Sequence, residues 1–216
     1  MTATLTIGNV KLDPPVMLAP MAAVTDAAFR ALCARFGCDL GFTELTNAPA
    51  IARGSSRSWR LLERNTGERH LAAHIYGSDP ERMGRAAARI AAAARFDLID
   101  INCGCPVRRI VTKGYGAALM ADPERIAAIV RSVKAAGGGL PVTVKTRLGL
   151  TPDRCNISEV AHAVEDAGGA AVIIHARFAS QHHGGSPQWE HLARVAEERR
   201  IPVVGNGGVE SPDDAV

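Results

Sequence analysis

The chain has 216 residues, of which 47% are hydrophobic, 22% charged and 4% aromatic, proportions typical of a folded globular protein and unlike those of disordered or fibrous chains. No apolar run approaches the roughly 20 residues that a membrane-spanning helix needs, and the first residues lack the pattern of a secretory signal. Five cysteines are too few and too oddly numbered for a secreted disulfide framework, and a net charge of +3 by itself indicates no partner. We therefore predict a cytoplasmic protein with reduced thiols and no membrane partner, and the oligomeric state is left open.

Seven short apolar segments alternate along the chain with longer Ala-rich segments of helical periodicity. Asp79-Pro80 and Asp122-Pro123 are typical helix starts, because Asp caps the first turn and Pro suits its first position. The predicted strands are 16–20, 40–43, 71–76, 98–101, 141–145, 171–175 and 201–205. The predicted helices run from about 26 to 36, 80 to 95, 123 to 136, 158 to 167 and 189 to 199.

The predicted strands are apolar along most of their length, which indicates burial on both faces and hence a parallel sheet covered by helices. Alternating strands and helices leave two architectures, an open doubly wound sheet and a (β/α)₈ barrel. The chain stops just after the seventh predicted strand, and no internal linker divides it. We predict one α/β domain of the (β/α)₈ TIM-barrel type, truncated after the seventh strand.

Polar or functional residues stand at or just after the ends of nearly all the predicted strands. In a βα barrel those ends form the face that carries the chemistry. Buried polar groups without partners are costly, so a set of them converging on one face indicates a functional site. These strand-end residues are Pro20, Met21, Glu44, His74, Asn102, Cys103, Cys105, Lys145, Arg147, His175, Arg177 and Asn206.

The segment Asp100-Ile-Asn-Cys-Gly-Cys-Pro106 is the most distinctive of these strand ends. Gly104 and Pro106 fix the turn after the strand and hold Cys105 in the loop, where a thiol can serve as nucleophile or proton donor. A zinc site is disfavoured, because the other cysteines are scattered and no paired C-x-x-C motif occurs. We therefore predict a catalytic thiol at Cys105 and no metal.

Two further features indicate an anionic ligand. Gly205-Asn-Gly-Gly208 follows the seventh strand, where backbone N–H groups of a barrel bind phosphate; a plain turn is the alternative. Basic residues in the loops after four of the strands predict a polyanion on the catalytic face, unless they only keep the surface soluble. These residues are Arg53, Arg57, Arg60, Arg64, Arg108, Arg109, Lys113, Arg147, Arg154 and Arg177.

At these residues the sequence resembles the tRNA-dihydrouridine synthase family. The resemblance runs in order and at consistent spacing from about residue 12 to the last residue. Its marks are Leu18-Ala-Pro-Met-Ala22, Val24-Thr-Asp26, Phe29-Arg30, Glu44, Gly77-Ser-Asp-Pro80, Asp100-Ile-Asn-Cys-Gly-Cys-Pro106, Gly114-Tyr-Gly-Ala-Ala-Leu119, Pro141-Val-Thr-Val-Lys-Thr-Arg147, His175-Ala-Arg177 and Ile201-Pro-Val-Val-Gly-Asn-Gly207.

The resemblance implies that residues 1–216 form one FMN-binding catalytic barrel that reduces uridine in tRNA to 5,6-dihydrouridine, with NADPH as the electron donor. It implies hydride transfer from reduced FMN to C6 of the extruded uracil and protonation of C5 by Cys105. The residues implied to bind the cofactor are Pro20, Met21, Ala22, His74, Lys145, His175, Asn206, Gly207 and Gly208. Those implied to contact the RNA are Glu44, Asn102, Arg108, Arg109, Arg147 and Arg177.

The sequence departs from the family pattern in three places. His74 stands where the family usually has a Gln that contacts the flavin ring, and Phe178-Ala-Ser-Gln-His-His183 replaces a more polar run. The chain also ends before the family's eighth strand and its helical tRNA-binding domain. Two other functions stay open: an FMN barrel oxidoreductase acting on a free pyrimidine-like small molecule, and a non-catalytic RNA-binding barrel.

Overall fold

The computed structural model describes residues 4–215, which form a curled sheet of parallel strands surrounded by helices. The strands are β1 (Leu5–Ile7), β2 (Val10–Leu12), β3 (Met17–Leu18), β4 (Leu40–Phe42), β5 (Thr46–Asn47), β6 (His70–Tyr76), β7 (Leu98–Asn102), β8 (Val142–Arg147), β9 (Ala171–His175) and β10 (Val203–Asn206). The α-helices are α1 (Ala27–Arg35), α2 (Ala48–Ala52), α3 (Ser56–Arg60), α4 (Pro80–Ala92), α5 (Arg108–Val111), α6 (Pro123–Ala136), α7 (Ile157–Asp166) and α8 (Trp189–Glu198). Short 3₁₀ helices lie at Gly116–Ala121, Pro152–Arg154, Ala179–Gln181 and Pro212–Ala215.

The main sheet has its strands in chain order, β3-β4-β6-β7-β8-β9-β10, all parallel, with β5 also paired to β6. Every connection between neighbours in this order contains at least one helix. A doubly wound sheet would reverse its strand order at a switch point, and this sheet does not. Within residues 4–215, β3 and β10 each pair with one neighbour, so the described sheet is an open arc in barrel order. The predicted TIM-barrel class is therefore confirmed.

Three of the five predicted helix starts are confirmed by their caps. The carboxylates of Asp26, Asp79 and Asp122 accept hydrogen bonds of 2.8, 2.8 and 3.0 Å from backbone N–H groups three residues later. Each bond satisfies a donor that the first helical turn leaves without a partner. These caps set where α1, α4 and α6 begin, and so how long the preceding loops at the carboxyl end of the sheet can be.

Two apolar cores lie on opposite faces of the sheet, because side chains alternate along each strand. In β6, Leu71, Ala73 and Ile75 face the surrounding helices and belong to the larger core, whereas Ala72 belongs to the smaller interior one. His74 shares the interior face with Ala72 and is buried. Toward the carboxyl end, the interior therefore changes from apolar to polar.

An antiparallel hairpin of β1 and β2 fills the amino end of the interior. Its side chains Ile7, Val10 and Leu12 pack in one cluster with Phe42 and Ile173 of the barrel strands. The sequence analysis missed this hairpin, because two strands of three residues produce no clear periodicity and their burial depends on distant strands.

The segment after β4 also differs from the prediction, because it contains β5, α2 and α3 rather than a simple loop. Arg64, near its end, pairs with Asp97 at 3.1 Å and donates to the carbonyl of Arg95 at 2.9 Å. Asp97 directly precedes β7, so Arg64 lies at the amino end of the sheet. The prediction that all the loop arginines share the catalytic face is wrong for Arg64, which serves as a structural ion pair.

Candidate active site

A cavity of about 570 Å³ opens at the carboxyl end of the sheet, within the size range of small-molecule sites. Thirteen of the sixteen site residues predicted from the sequence line it. They are Pro20, Met21, Ala22, His74, Asn102, Cys105, Lys145, Arg147, His175, Arg177, Asn206, Gly207 and Gly208.

One wall of the cavity, which we call the cationic side, is formed by residues that lie on β8, end β9 or lie just after β9. These residues are Lys145, Arg147, His175 and Arg177. The Lys145 ammonium donates a 2.6 Å hydrogen bond to Oδ1 of Asn206. Burial lowers the pKa of Lys145 to about 8, with Arg147 lowering it further and Asp100 partly opposing the shift. An anion in the cavity would relieve this penalty on the charged amine.

His175 ends β9 beside these cations and is buried. Burial lowers its pKa to about 3, with further lowering by Arg147, Lys145 and Arg177, so the imidazole is neutral at neutral pH. Its Nε2 lies 3.2 Å from Nη1 of Arg177, which places a guanidinium donor against a neutral ring acceptor. The ring therefore adds no charge to a wall that already holds three cationic groups.

Gly207 follows β10 with a φ of +96°, and a Cβ there would lie 2.5 Å from the His175 ring. Only glycine meets both conditions, since the left-handed backbone and the close approach each disfavour a side chain. The next residue, Gly208, also has a positive φ of +77°. Within residues 4–215, the N–H groups of both glycines make no hydrogen bond, so they are free to bind an anion.

Arg147 is 3% exposed and braces the loops around the cavity. Its guanidinium donates hydrogen bonds to the carbonyl oxygens of Gly104 at 3.0 Å, Phe178 at 3.1 Å and His182 at 2.7 Å. These bonds join the loop after β7 to the loop after β9. The same bonds occupy much of the hydrogen-bonding capacity of the Arg147 guanidinium. The RNA contact that the sequence resemblance implied for Arg147 stays a prediction.

Cys105 sits in the turn after β7, half-buried and facing the cavity. Its N–H donates to Oδ1 of Asn102 at 3.1 Å, and its carbonyl accepts from the N–H of Ala117 at 3.0 Å. Gly116 permits the second contact, because its φ is +59° and a Cβ there would lie 2.6 Å from the Cys105 oxygen. Cys103, two residues earlier, is fully buried in the outer core, and burial raises its pKa.

Next to the cationic side, His74, Asp100, Asn102 and Thr143 form a buried chain of hydrogen bonds, which we call the amide network; Asn102 is the cross-strand neighbour of Lys145. His74 Nδ1 lies 2.5 Å from Oδ2 of Asp100, whose Oδ1 accepts a 2.5 Å bond from the Thr143 hydroxyl. His74 Nε2 lies 3.0 Å from Nδ2 of Asn102. Parallel pairing places Asp100 directly beside His74 and Thr143, so the strand register brings the members together.

The loop after β3 forms the third wall of the cavity. Met21 is 40% exposed, and its N–H and carbonyl both bond the Thr25 hydroxyl, at 3.0 and 3.1 Å. The Glu44 carboxylate accepts a hydrogen bond from the N–H of Ala23. Glu44 therefore lies behind this loop and supports it, outside the cavity lining.

Arg108 and Arg109 also lie outside the cavity lining; they are exposed on α5, directly after the Cys105 turn.

The sequence prediction missed His182 and His183 as lining residues, although both stand in the unusual run after β9. His182 has a φ of +52°, and the His183 ring centroid lies 5.8 Å from that of His175. Paired histidines in a run that departs from a family pattern were the clue available in the sequence.

Metal-binding clusters and membrane-spanning helices are both absent from the part of the chain that the structure describes. Across residues 4–215, no group of three or more His, Cys, Asp or Glu side chains is arranged to hold a metal ion. The same residues include no helix with the length and hydropathy needed to cross a membrane.

The chain matches a family model and curated relatives over nearly its whole length. The family model described as dihydrouridine synthase (Dus) covers residues 17–216. The probable tRNA-dihydrouridine synthase of Treponema pallidum is 35% identical over 217 residues, covering 97% of this chain and 64% of the relative. The tRNA-dihydrouridine synthase B of Xanthomonas axonopodis pv. citri is 36% identical over 209 residues, covering 97% and 62%. The chain thus spans less than two thirds of the length of either relative.

Solved structures with the same fold have distant sequences. The old yellow enzyme homologue from Zymomonas mobilis superposes with a TM-score of 0.67 at 12% identity, covering 96% of this chain and 82% of that one. Morphinone reductase in complex with tetrahydroNAD gives a TM-score of 0.65 at 14% identity, covering 96% and 80%. Identities this low establish a shared barrel fold alone. The family model and the curated relatives carry the further conclusion that the chain belongs to the dihydrouridine synthase family.

Proposed function

We propose that this chain is the FMN-binding catalytic barrel of an enzyme that reduces uridine to 5,6-dihydrouridine in tRNA, with NADPH as the electron donor. The observation that carries the proposal is the meeting of the Cys105 thiol and the Lys145–Asn206 pair in one cavity. Family membership supports the substrate class, since the relatives are named tRNA-dihydrouridine synthases. The activity is assigned to the cytoplasm.

The residues of the cationic side fit a flavin mononucleotide. Its phosphate is an anion, and the N–H groups of Gly207 and Gly208, two residues that line the cavity, are donors available to bind it. The Lys145 ammonium suits an electron-rich ring that gains negative charge on reduction. Pro20, Met21 and Ala22 supply a mostly apolar part of the lining for the ring.

When bound, reduced FMN would supply a hydride for C6 of the uracil ring, with NADPH as the source of the electrons. Cys105 provides the matching proton: its S–H bond breaks as a C–H bond forms at C5, so the C5–C6 double bond is saturated. The turn held by Asn102 and Ala117 points this thiol at the cavity. Because a base inside an RNA helix is out of reach, the uridine must be extruded into the pocket.

Arg108, Arg109 and Arg177 support an RNA substrate rather than a free pyrimidine. The first two are exposed beside the Cys105 turn, and the third lines the cavity mouth with Nε bonded to the carbonyl of Gly185 at 3.0 Å. Cations arranged around the mouth suit the phosphates on either side of an extruded nucleotide. A small-molecule substrate would leave Arg108 and Arg109 without a role.

The test is anaerobic reoxidation of the reduced FMN complex by candidate substrates. We expect transfer RNA that lacks dihydrouridine to reoxidise the flavin and to gain dihydrouridine in equal amount. Free uracil and orotate are the controls, and both should reoxidise the flavin far more slowly than the transfer RNA does. Preferential reaction with a free pyrimidine would replace the proposal with a small-molecule reductase, and RNA binding without flavin binding would indicate a non-catalytic barrel.

A further inference from the structure

The donor and the acceptor of each hydrogen bond in the amide network can be assigned, starting from the backbone N–H of Cys105. That N–H can only donate, so the atom of Asn102 that faces it at 3.1 Å must be the amide oxygen. The Asn102 NH₂ group then faces Nε2 of His74 at 3.0 Å. An NH₂ group only donates, so Nε2 of His74 must accept and carries no proton.

The other ring nitrogen completes the assignment. Nδ1 of His74 lies 2.5 Å from a carboxylate oxygen of Asp100, which accepts, so Nδ1 carries the proton. Thr143 occupies the second Asp100 oxygen with its hydroxyl at 2.5 Å. His74 and Asp100 are 1% and 0% exposed, so bulk water does not compete for these positions.

We propose that His74 is a positioning residue for the Cys105 thiol, acting as the neutral Nδ1–H tautomer through the amide of Asn102. The imidazole prevents the amide from rotating, because a flipped amide would turn its NH₂ group toward the Cys105 N–H and its oxygen toward the His74 acceptor. Asp100 fixes the tautomer by accepting the Nδ1–H of His74, so its effect on Asn102 is exerted through His74. The part of this role that concerns proton donation by Cys105 rests on the proposed function. The effect of His74 on the conformation of the Cys105 turn does not depend on it.

The tautomer can be read directly by ¹⁵N NMR of the imidazole in the unaltered chain, without cofactor or RNA. We expect the His74 signals to show a protonated Nδ1 and an unprotonated Nε2. An Nε2–H tautomer, or a ring protonated on both nitrogens at neutral pH, would overturn the proposal. This measurement needs no substitution, so it decides the matter even where a variant fails to fold.

The effect on the thiol is measured as the alkylation rate of Cys105 by iodoacetamide, resolved by peptide mass spectrometry. His74→Leu removes both hydrogen bonds at similar volume, and we expect Cys105 to react about 2- to 10-fold faster, the equivalent of one hydrogen bond. His74→Gln keeps a donor and an acceptor and should restore the original rate. Buried Cys103 and exposed Cys155 are internal controls whose rates should not change.

An unchanged Cys105 rate in a folded His74→Leu protein would refute the positioning role, and so would a His74→Gln protein that behaves like His74→Leu. Failure of the proposed function looks different. In that case the tautomer and the alkylation rates would follow the expectation while the reduced flavin complex formed no dihydrouridine. The two proposals therefore fail separately.

Discussion

Two adjacent parts of the cavity, the amide network and the cationic side, differ in how far their buried polar groups find partners within the protein. The amide network satisfies itself: Asp100, His74 and Asn102 pass hydrogen bonds along to the Cys105 turn within distances of 2.5–3.1 Å. The cationic side does not, because Lys145 has a depressed pKa and, among residues 4–215, no carboxylate bonds either Lys145 or Arg177. The network fixes geometry, whereas the cationic side presents positive charge that Asp100 balances only in part.

This contrast indicates that the two parts of the site have different roles, one in positioning a reacting group and the other in binding a ligand. A self-satisfied network resists rearrangement and suits the positioning of a reacting group. A wall of desolvated cations costs stability until an anion binds, and it therefore suits ligand capture. Substitutions can test each side separately, from the largest expected effect to the smallest.

Cys105→Ala tests the group that the amide network positions. We expect uridine reduction to fall by about 10²–10⁴-fold, the usual worth of a positioned proton donor. Flavin binding and its reduction by NADPH should be unchanged, because neither step uses the thiol. Single-turnover formation of dihydrouridine measures the decrease. Cys103→Ala is the matched control, and an inactive Cys103→Ala protein beside an active Cys105→Ala protein would show that Cys105 is the wrong thiol.

Lys145→Met tests the cationic side. Removing a charge-assisted hydrogen bond should weaken FMN binding by about 10- to 100-fold, measured by quenching of flavin fluorescence. The native chain should also bind flavin less tightly as pH rises through about 8, where Lys145 loses its charge, and the variant should not show this dependence. Lys11→Met, at an exposed position of the hairpin, is the control. Equal flavin affinity in all three proteins would remove Lys145 from the cofactor site.

Arg108→Ala with Arg109→Ala tests whether the positive charge extends from the cavity onto the surrounding surface. We expect weaker tRNA binding and a salt dependence whose logarithmic slope falls by about 1 for each phosphate that is no longer neutralised. Fluorescence anisotropy over a series of salt concentrations measures both. Arg82→Ala with Arg85→Ala removes the same charge from the exposed face of α4 and should change little. If both pairs behave alike, the RNA does not bind at the Cys105 side.

His175→Gln tests the stability cost of the cationic side. The pKa of His175 falls from a usual 6.5 to about 3, so between these values the unfolded chain holds a proton that the folded chain does not. Stability should therefore decrease as pH falls from 6.5 toward 3. Near pH 5 the expected decrease in the free energy of unfolding is roughly 1–2 kcal/mol, and His175→Gln should abolish this decrease. Urea unfolding at neutral and mildly acidic pH measures the difference, and parallel acid destabilisation of both proteins would contradict the assignment.

Strand ends were predictable from the sequence, because a strand end and its first loop residues are local features. The caps at Asp79 and Asp122 and the turn around Cys105 follow from residues within a few positions of each other. The roles of individual arginines were less predictable. Arg64 and Arg147 are loop cations in the sequence, yet one pairs with a carboxylate 33 residues away and the other bonds carbonyl oxygens 31 and 35 residues away.

By itself, then, the sequence determined the class of fold, the carboxyl-end location of the site and most of the residues that line it. Alternating strands and helices, capped by local residues, allow few arrangements, and family motifs mark the loops. Only the tertiary structure decided which face of each strand is interior, how the hairpin fills the amino end and which partner each buried polar group has. Those outcomes depend on strand register, which joins His74 to Asp100 and Lys145 to Asn206 across 26 and 61 residues of chain. Local patterns cannot encode such pairings, because a shift of one residue in register would move each side chain to the opposite face.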